Sequence, residues 1–181
     1  MRTFLIVIGF IIVSTLVYLG FYNAFYVPKF SAHQEGGETV VYKQVNVRYQ
    51  LTDSVMKDVF NELYERNGIV ITKGYGLFYF KPNNQSEKLV TRQAGCVVED
   101  KDTSQLASIS KEYLIEKLPE GEFIVTDFPL KGKMSIMFGM YRVYPKLNDY
   151  CEKNGYSTKE PIIEIYDRKA KKIHYRRKLM R

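Results

Sequence analysis

The sequence predicts an α+β fold: two βαββ units in tandem, related by a pseudo-twofold axis with a ligand cleft between them, behind one N-terminal transmembrane helix. Three observations lead there. A helix-stop is nearly spelled twice, as Glu65-Arg66-Asn67-Gly68 and again as Glu152-Lys153-Asn154-Gly155. Each copy closes an amphipathic stretch and precedes an apolar, strand-like run. Ahead of both lies a stretch of different character, uncharged from Thr3 to Pro28.

Within that stretch, Phe4 to Tyr22 is apolar apart from Ser14 and Thr15. Roughly 20 such residues, rising about 1.5 Å each, cross a ~30 Å hydrocarbon core. Tyr18, Tyr22 and Tyr26 suit the interfacial belt of a span. Bulky Tyr22, two places before Ala24, is a poor signal-peptidase site. Residues 1–28 are therefore expected to form an uncleaved signal anchor in a single-pass membrane protein. Arg2 precedes the span while Lys29, Glu35 and Glu38 follow it, which leans toward a domain on the extracytoplasmic side.

Residues 29–39, centred on Gln34-Glu35-Gly36-Gly37, read as a linker, and residues 40–181 as one domain of ordinary size. The first unit opens with a strand over Val40–Leu51. Thr52 or Asp53 then caps a helix whose apolar face is Val55, Val59, Phe60 and Leu63. Gly68 supplies the left-handed stop. A strand over Ile69–Thr72 and Gly76–Phe80, a turn at Asn83–Ser86 and a returning strand over Lys88–Glu99 complete the unit. A connector helix is expected between Thr103 and Leu118, with Leu106, Ile109, Tyr113, Leu114 and Leu118 on its apolar side.

The second unit opens with a strand over Phe123–Leu130. A helix from about Met134 to Asn154 follows, facing inward with Met137, Met140, Tyr141, Leu147 and Cys151, and kinked or split at Pro145. Pro161–Asp167 and Lys172–Leu179 close the fold as a hairpin.

Composition narrows the function classes. The chain has 15 Tyr, 11 Phe and no Trp, more rings than burial alone requires. Net charge is +7 and is concentrated at the end: Arg168–Arg181 holds eight Lys/Arg and no carboxylate. That run contains one ring, Tyr175, and no recognition helix, so it reads as a solvated hairpin arm rather than a nucleic-acid site. Cys96 and Cys151 form no CxxC pair, and His33 and His174 lie far apart, so neither a metal site nor a cofactor motif is supported.

The informative segment is Pro161-Ile162-Ile163-Glu164-Ile165-Tyr166. With period two, Ile163 and Ile165 share one face, expected to pack on helices, while Ile162, Glu164 and Tyr166 share the other. A carboxylate on so apolar a face is costly unless compensated. Two roles remain open on the residues alone: Glu164 meets a ligand in the cleft, or it pairs with a cross-strand Lys or Arg.

Three stretches carry a family resemblance over roughly residues 38–179: Gly76-Leu77-Phe78-Tyr79-Phe80-Lys81-Pro82, Glu120-Gly121-Glu122-Phe123-Ile124-Val125, and Tyr144–Tyr150 through the Pro-x-x-Glu-x-Tyr strand ending at Tyr166. Together they resemble the GyrI-like small-molecule-binding domain, a duplicated SHS2 module also found as the effector-binding half of AraC and MerR regulators. Phe80-Lys81 stands where the family tends to have tyrosine and an acid. The order of anchor then domain is also similar to that of an ER-phagy receptor, whose autophagy motif lies in a long tail with no counterpart in these 181 residues.

The resemblance implies that Glu164 sits in the cleft among aromatic rings and meets a small amphipathic, often cationic, ligand. Glu164, Tyr166 and Tyr79 occupy family motif positions; Phe78, Tyr42 and Tyr141 join them as ring candidates from composition. It implies no cofactor and no DNA-binding module. Two other classes compete: a hydrolase of strained electrophiles, with Glu164 as general base and Tyr79 or Tyr166 as donor, and an adaptor that holds a protein partner at the membrane.

Overall fold

The computed structural model describes residues 1–80, 89–109 and 111–181. The expected turn at Asn83–Ser86 and the Lys81-Pro82 end of the first family-like stretch lie outside the described residues. The order of elements is α1 (Arg2–Phe21), β1 (Ser31–Glu35), β2 (Thr39–Arg48), a 3-10 turn (Tyr49–Leu51), α2 (Thr52–Asn61) with a terminal π turn (Glu62–Arg66), β3 (Lys73–Phe80) and β4 (Leu89–Val98). A 3-10 segment (Asp100–Ser108), β5 (Leu114–Lys117), β6 (Gly121–Pro129), α3 (Lys133–Lys153), β7 (Ile162–Asp167) and β8 (Lys172–Lys178) follow.

Both helix stops form as their glycines require. Gly68 and Gly155 sit at φ +68° and +70°, a region that a side chain disfavours. The amide of Tyr156 reaches back to the Cys151 carbonyl at 2.8 Å, and that of Ile69 to Leu63 at 2.9 Å, closing the two helix ends. The chain then turns into β3 in one unit and β7 in the other.

Among the described residues the strands form one antiparallel sheet in the order β1-β6-β8-β7-β3-β4-β2-β5. The two units, β2-α2-β3-β4 and β6-α3-β7-β8, each contribute three adjacent strands, and they meet where β3 pairs with β7. The duplication thus builds a single continuous sheet with a seam at its centre, not two separate sheets. Helix α2 packs on β2 and β4, and α3 on β6 and β8, leaving the seam between them.

The apolar core is divided by the sheet. On the helix side, Val41, Val59, Leu63 and Cys96 form one cluster, and Phe78, Phe128, Tyr144, Leu147, Cys151, Ile162 and Tyr166 another. On the other side, Tyr42, Tyr75, Phe123, Val125, Ile163 and Ile165 pack together. The two faces of β7 are therefore the reverse of the expectation: Ile162, Glu164 and Tyr166 lie beneath the helices, and Ile163 and Ile165 lie on the far side.

Four further expectations are corrected. Within the expected linker, Ser31–Glu35 is an edge strand paired with β6 from Ser31↔Val125 to Glu35↔Gly121. The connector is a 3-10 segment followed by edge strand β5, because Leu114–Lys117 finds hydrogen-bonding partners on β2. The basic tail is no solvated arm. Its strand β8 lies between β6 and β7, and Arg176 and Arg177 are buried. Arg176 is held by Glu38 at 2.6 and 3.0 Å, and Lys172 by Asp127, so acids distant in sequence meet part of the run. Finally, α3 is not split at Pro145: one helix runs from Lys133 to Lys153 with the proline on an exposed face. Cys96 and Cys151 are both buried and free.

Helix α1 is long and apolar enough to cross a membrane over Thr3–Phe21, and none of that window is buried. Its exit is not slack. The Nε of Arg142 donates to the Ala24 carbonyl, and the Tyr26 ring meets Phe128 edge-on at 5.1 Å. Phe30 packs on Tyr150 with ring centroids 5.4 Å apart.

Candidate functional site

The seam between the units carries a carboxyl, Glu164, that forms no ion pair among the described residues. In the β3/β7 register Gly76 stands opposite Glu164 and Gly74 opposite Tyr166. On the other side of β7, Tyr175 stands opposite Glu164. The two glycines put no side chain into the space between α2 and α3. The ring of Phe78 folds over Gly76, 2.6 Å from where a Cβ would stand, and the Met56 methyl lies 3.2 Å from the same point.

Glu164 has no solvent exposure. Its carboxyl is held by phenols: Tyr144 donates to Oε1 at 2.7 Å, Tyr49 to Oε2 at 3.1 Å, and Tyr166 to the same Oε2. The hydroxyls of Tyr49 and Tyr166 also meet at 3.2 Å. Among the described residues no Lys or Arg forms an ion pair with it. The cross-strand ion pair that the sequence left open is not what forms. Its register partners are glycine and tyrosine; Lys172 and Arg176 of β8 turn to other acids, and Arg177 turns to Asn148 and Cys151 of α3.

Burial outweighs the phenolic hydrogen bonds, and the carboxyl is pushed up to about 7. The same burial, with the Glu164 charge close by, holds Tyr49, Tyr144 and Tyr166 well above the usual phenol range. The phenols therefore stay protonated and act as donors. Near neutral pH the acid is poised between its neutral and charged forms, a condition that marks candidate functional groups. Among the described residues the buried hydroxyl of Tyr175 has no hydrogen-bond partner, and a Cβ at Gly139 would stand 2.3 Å from it.

Of the six sequence candidates, the structure brings together Glu164, Tyr166 and Phe78. The Phe78 ring lies 5.0 Å from that of Tyr49. The other three lie elsewhere. Tyr42 belongs to the cluster on the far face and donates to Glu116 at 3.0 Å. Tyr79 alternates away from Phe78 and is 37% exposed; Tyr141 projects from α3 and is 65% exposed. Tyr144 and Tyr49 were missed. For Tyr144 the signal was present: Met140, Leu147 and Cys151, expected to face inward, do so, and Tyr144 completes their stripe while Met137 and Tyr141 point out. Tyr49 carried no such signal, since it sits on a 3-10 turn after a strand.

Away from the seam, a hollow of about 350 Å3 lies between the chain at Tyr26–Glu35 and strands β6 and β8. Its two acids are held by basic neighbours. Asp127 meets Lys172 at 2.7 Å and His174 at 2.5 Å, while Glu35 meets His174 at 3.4 Å and Arg176 at 3.2 Å. Among the described residues no group of three or more His, Cys, Asp and Glu is arranged to hold a metal ion.

No protein-family model matches the sequence, and no curated protein matches it. Solved structures do match in shape. EcmrR in its complex with DNA superposes with a TM-score of 0.60 at 11% identity, over 94% of this chain and 63% of that one. The isolated EcmrR C-terminal domain gives 0.53 at 11% identity, over 86% of this chain and 99% of the domain. An integron cassette protein from Vibrio cholerae gives 0.50 at 10% identity, over 84% and 97%. The chain thus spans under two thirds of the EcmrR chain in that complex. These likenesses show the fold, a mixed α+β architecture of GyrI-like type with one open antiparallel sheet.

Proposed function

We propose that this chain is a membrane-tethered binding domain for a small amphipathic cation, and that Glu164 is the group that meets the charge. One observation carries the reading: a fully buried carboxyl, pushed up to about 7, that has phenols for partners and no cation. A lipophilic cation beside it would stabilise the ionised form and be stabilised in turn. The faces of Tyr49, Tyr166 and Phe78 add cation–π attraction in a desolvated setting.

Access requires movement of Met56 and Tyr49. Met56 is flexible and packs only at the margin of the core cluster, and Tyr49 lies on a short 3-10 turn at the same margin. Helix α1 supplies the tether, with the domain on the extracytoplasmic side. The likeness to the EcmrR C-terminal domain supports the fold on which this site is built.

Thermal unfolding of the full-length protein in detergent, with and without tetraphenylphosphonium, tests the reading. The expected result is a rise in Tm for the native protein and none for Glu164→Gln. An equal rise in both would overturn it.

A further inference from the structure

The end of α1 and the start of α3 are in contact. Lys131 Nζ lies 4.8 Å over the Phe21 ring, and a Cβ at Gly132 would lie 3.6 Å from the Tyr22 ring. Arg142, two turns further along α3, holds the Ala24 carbonyl. If α1 spans a bilayer, its last turn lies at headgroup level, and these contacts fix the β6–α3 loop and the flank of α3 at that level too. The same helix has an exposed stripe that meets the rest of the domain through one ion pair, Lys133 to Asp53, among the described residues. Lys133, Met137 and Tyr141 recur at four-residue spacing, so they share a face. Lys133 is 93% exposed, Met137 37% and Tyr141 65%. Lysine beside an apolar and a phenolic side chain is the composition of a helix lying in a membrane interface.

We propose that the domain lies on the leaflet from which α1 emerges, with Lys131 and Lys133 on anionic phospholipid headgroups and Met137 and Tyr141 in the interface. This rests on the reading of α1 as a span and extends it. Lys133 also meets Asp53 of α2 at 3.8 Å. The N-terminal ends of both helices that flank Glu164 therefore stand at the membrane surface, and an amphiphile reaches the seam from the lipid rather than from water.

The chain contains no Trp, so a single introduced Trp reports without background. Four full-length variants, Phe10→Trp, Met137→Trp, Tyr141→Trp and Val70→Trp, are placed in nanodiscs containing phosphatidylglycerol, with or without brominated acyl chains. Val70 is exposed beyond the far end of α2, about 20 Å along the helix and its π turn. Bromine should quench the reporters at 10, 137 and 141 strongly and the one at 70 little. Lys131→Glu with Lys133→Glu should then weaken quenching at 137 and leave position 10 unchanged. Each lysine near an anionic leaflet shifts the docked-to-free ratio about fivefold. Quenching at 137 and 141 no stronger than at 70, with position 10 quenched, overturns the docking and leaves the anchor intact. No quenching at position 10 overturns the anchor and the docking together. Quenching at 137 that ignores the charge reversal overturns the headgroup contact.

Discussion

At the seam the first βαββ unit brings Gly74 and Gly76, and the second brings Tyr166 and Glu164 directly opposite them. The skeletons match down to the left-handed glycine that ends each helix, yet one unit leaves a space and the other fills it with an acid and a ring. The helices differ in the same sense. α2 is ten residues long and offers Met56 to the seam, whereas α3 is 21 residues long and offers Tyr144. Duplication therefore accounts for the sheet and its central seam. The chemistry comes from how the copies have diverged.

The sharpest way to break that contrast is to neutralise the second unit's acid. A carboxyl that titrates near 7 when folded and at about 4.3 when unfolded stabilises the fold fully below the unfolded value. That contribution is lost as pH rises through about 7. Glu164→Gln carries no such penalty. It should be more stable than the native protein at pH 8, by about 4 kcal/mol at most, with the gap closing toward pH 4. Denaturant midpoints across that range check both sign and window.

Filling the first unit's space is the converse change. Gly76→Val puts branched carbon where the Phe78 ring and the Met56 methyl already stand. Overpacking of this kind costs about 1–3 kcal/mol, and it should also abolish the tetraphenylphosphonium-induced rise in Tm. Isothermal unfolding with and without the cation reads both effects.

A smaller effect isolates the support given by α3. Tyr144→Phe keeps the ring and removes one donor to Glu164 Oε1. The loss should be about 1–2 kcal/mol above pH 7, where the acceptor is charged. It should shrink below pH 5, where the acid is neutral, and the Glu164 titration should move upward. The smallest effect marks the edge of the site. Tyr141→Ala, one place round the same helix, should change stability by less than about 0.5 kcal/mol and leave cation binding in detergent unaltered. A large loss of binding there would move the site off the seam.

How much of this the sequence showed depends on which force fixes each element. Asn67-Gly68 and Asn154-Gly155 were legible because few residues tolerate the left-handed stop. The segment Ile162–Tyr166 was legible because period-two alternation exposes a lone acid. Strand β1 was not legible, because Ser31–Glu35 is polar and mostly exposed and is held by backbone pairing to β6, which leaves no side-chain pattern. Strand β5 misled because Leu106, Ile109, Tyr113 and Leu118 happen to fall near helical spacing. The burial of Arg176 depends on Glu38, 138 residues away, and no local reading finds such a partner. Within the site, Tyr141 was taken for Tyr144 because apolar residues surround α3 on several sides. Only contact with β7 decides which ring faces the acid.

The central claim is that Glu164 exchanges a proton near neutrality and releases it to solvent when a cation binds beside it. Carboxyl-carbon NMR of the full-length protein, labelled at glutamate and assigned with Glu164→Gln, follows that group alone across pH. A midpoint near 7 that falls when tetraphenylphosphonium is added is the result this account requires. A midpoint at the ordinary value of about 4.3, or one near 7 that the cation leaves in place, would contradict it.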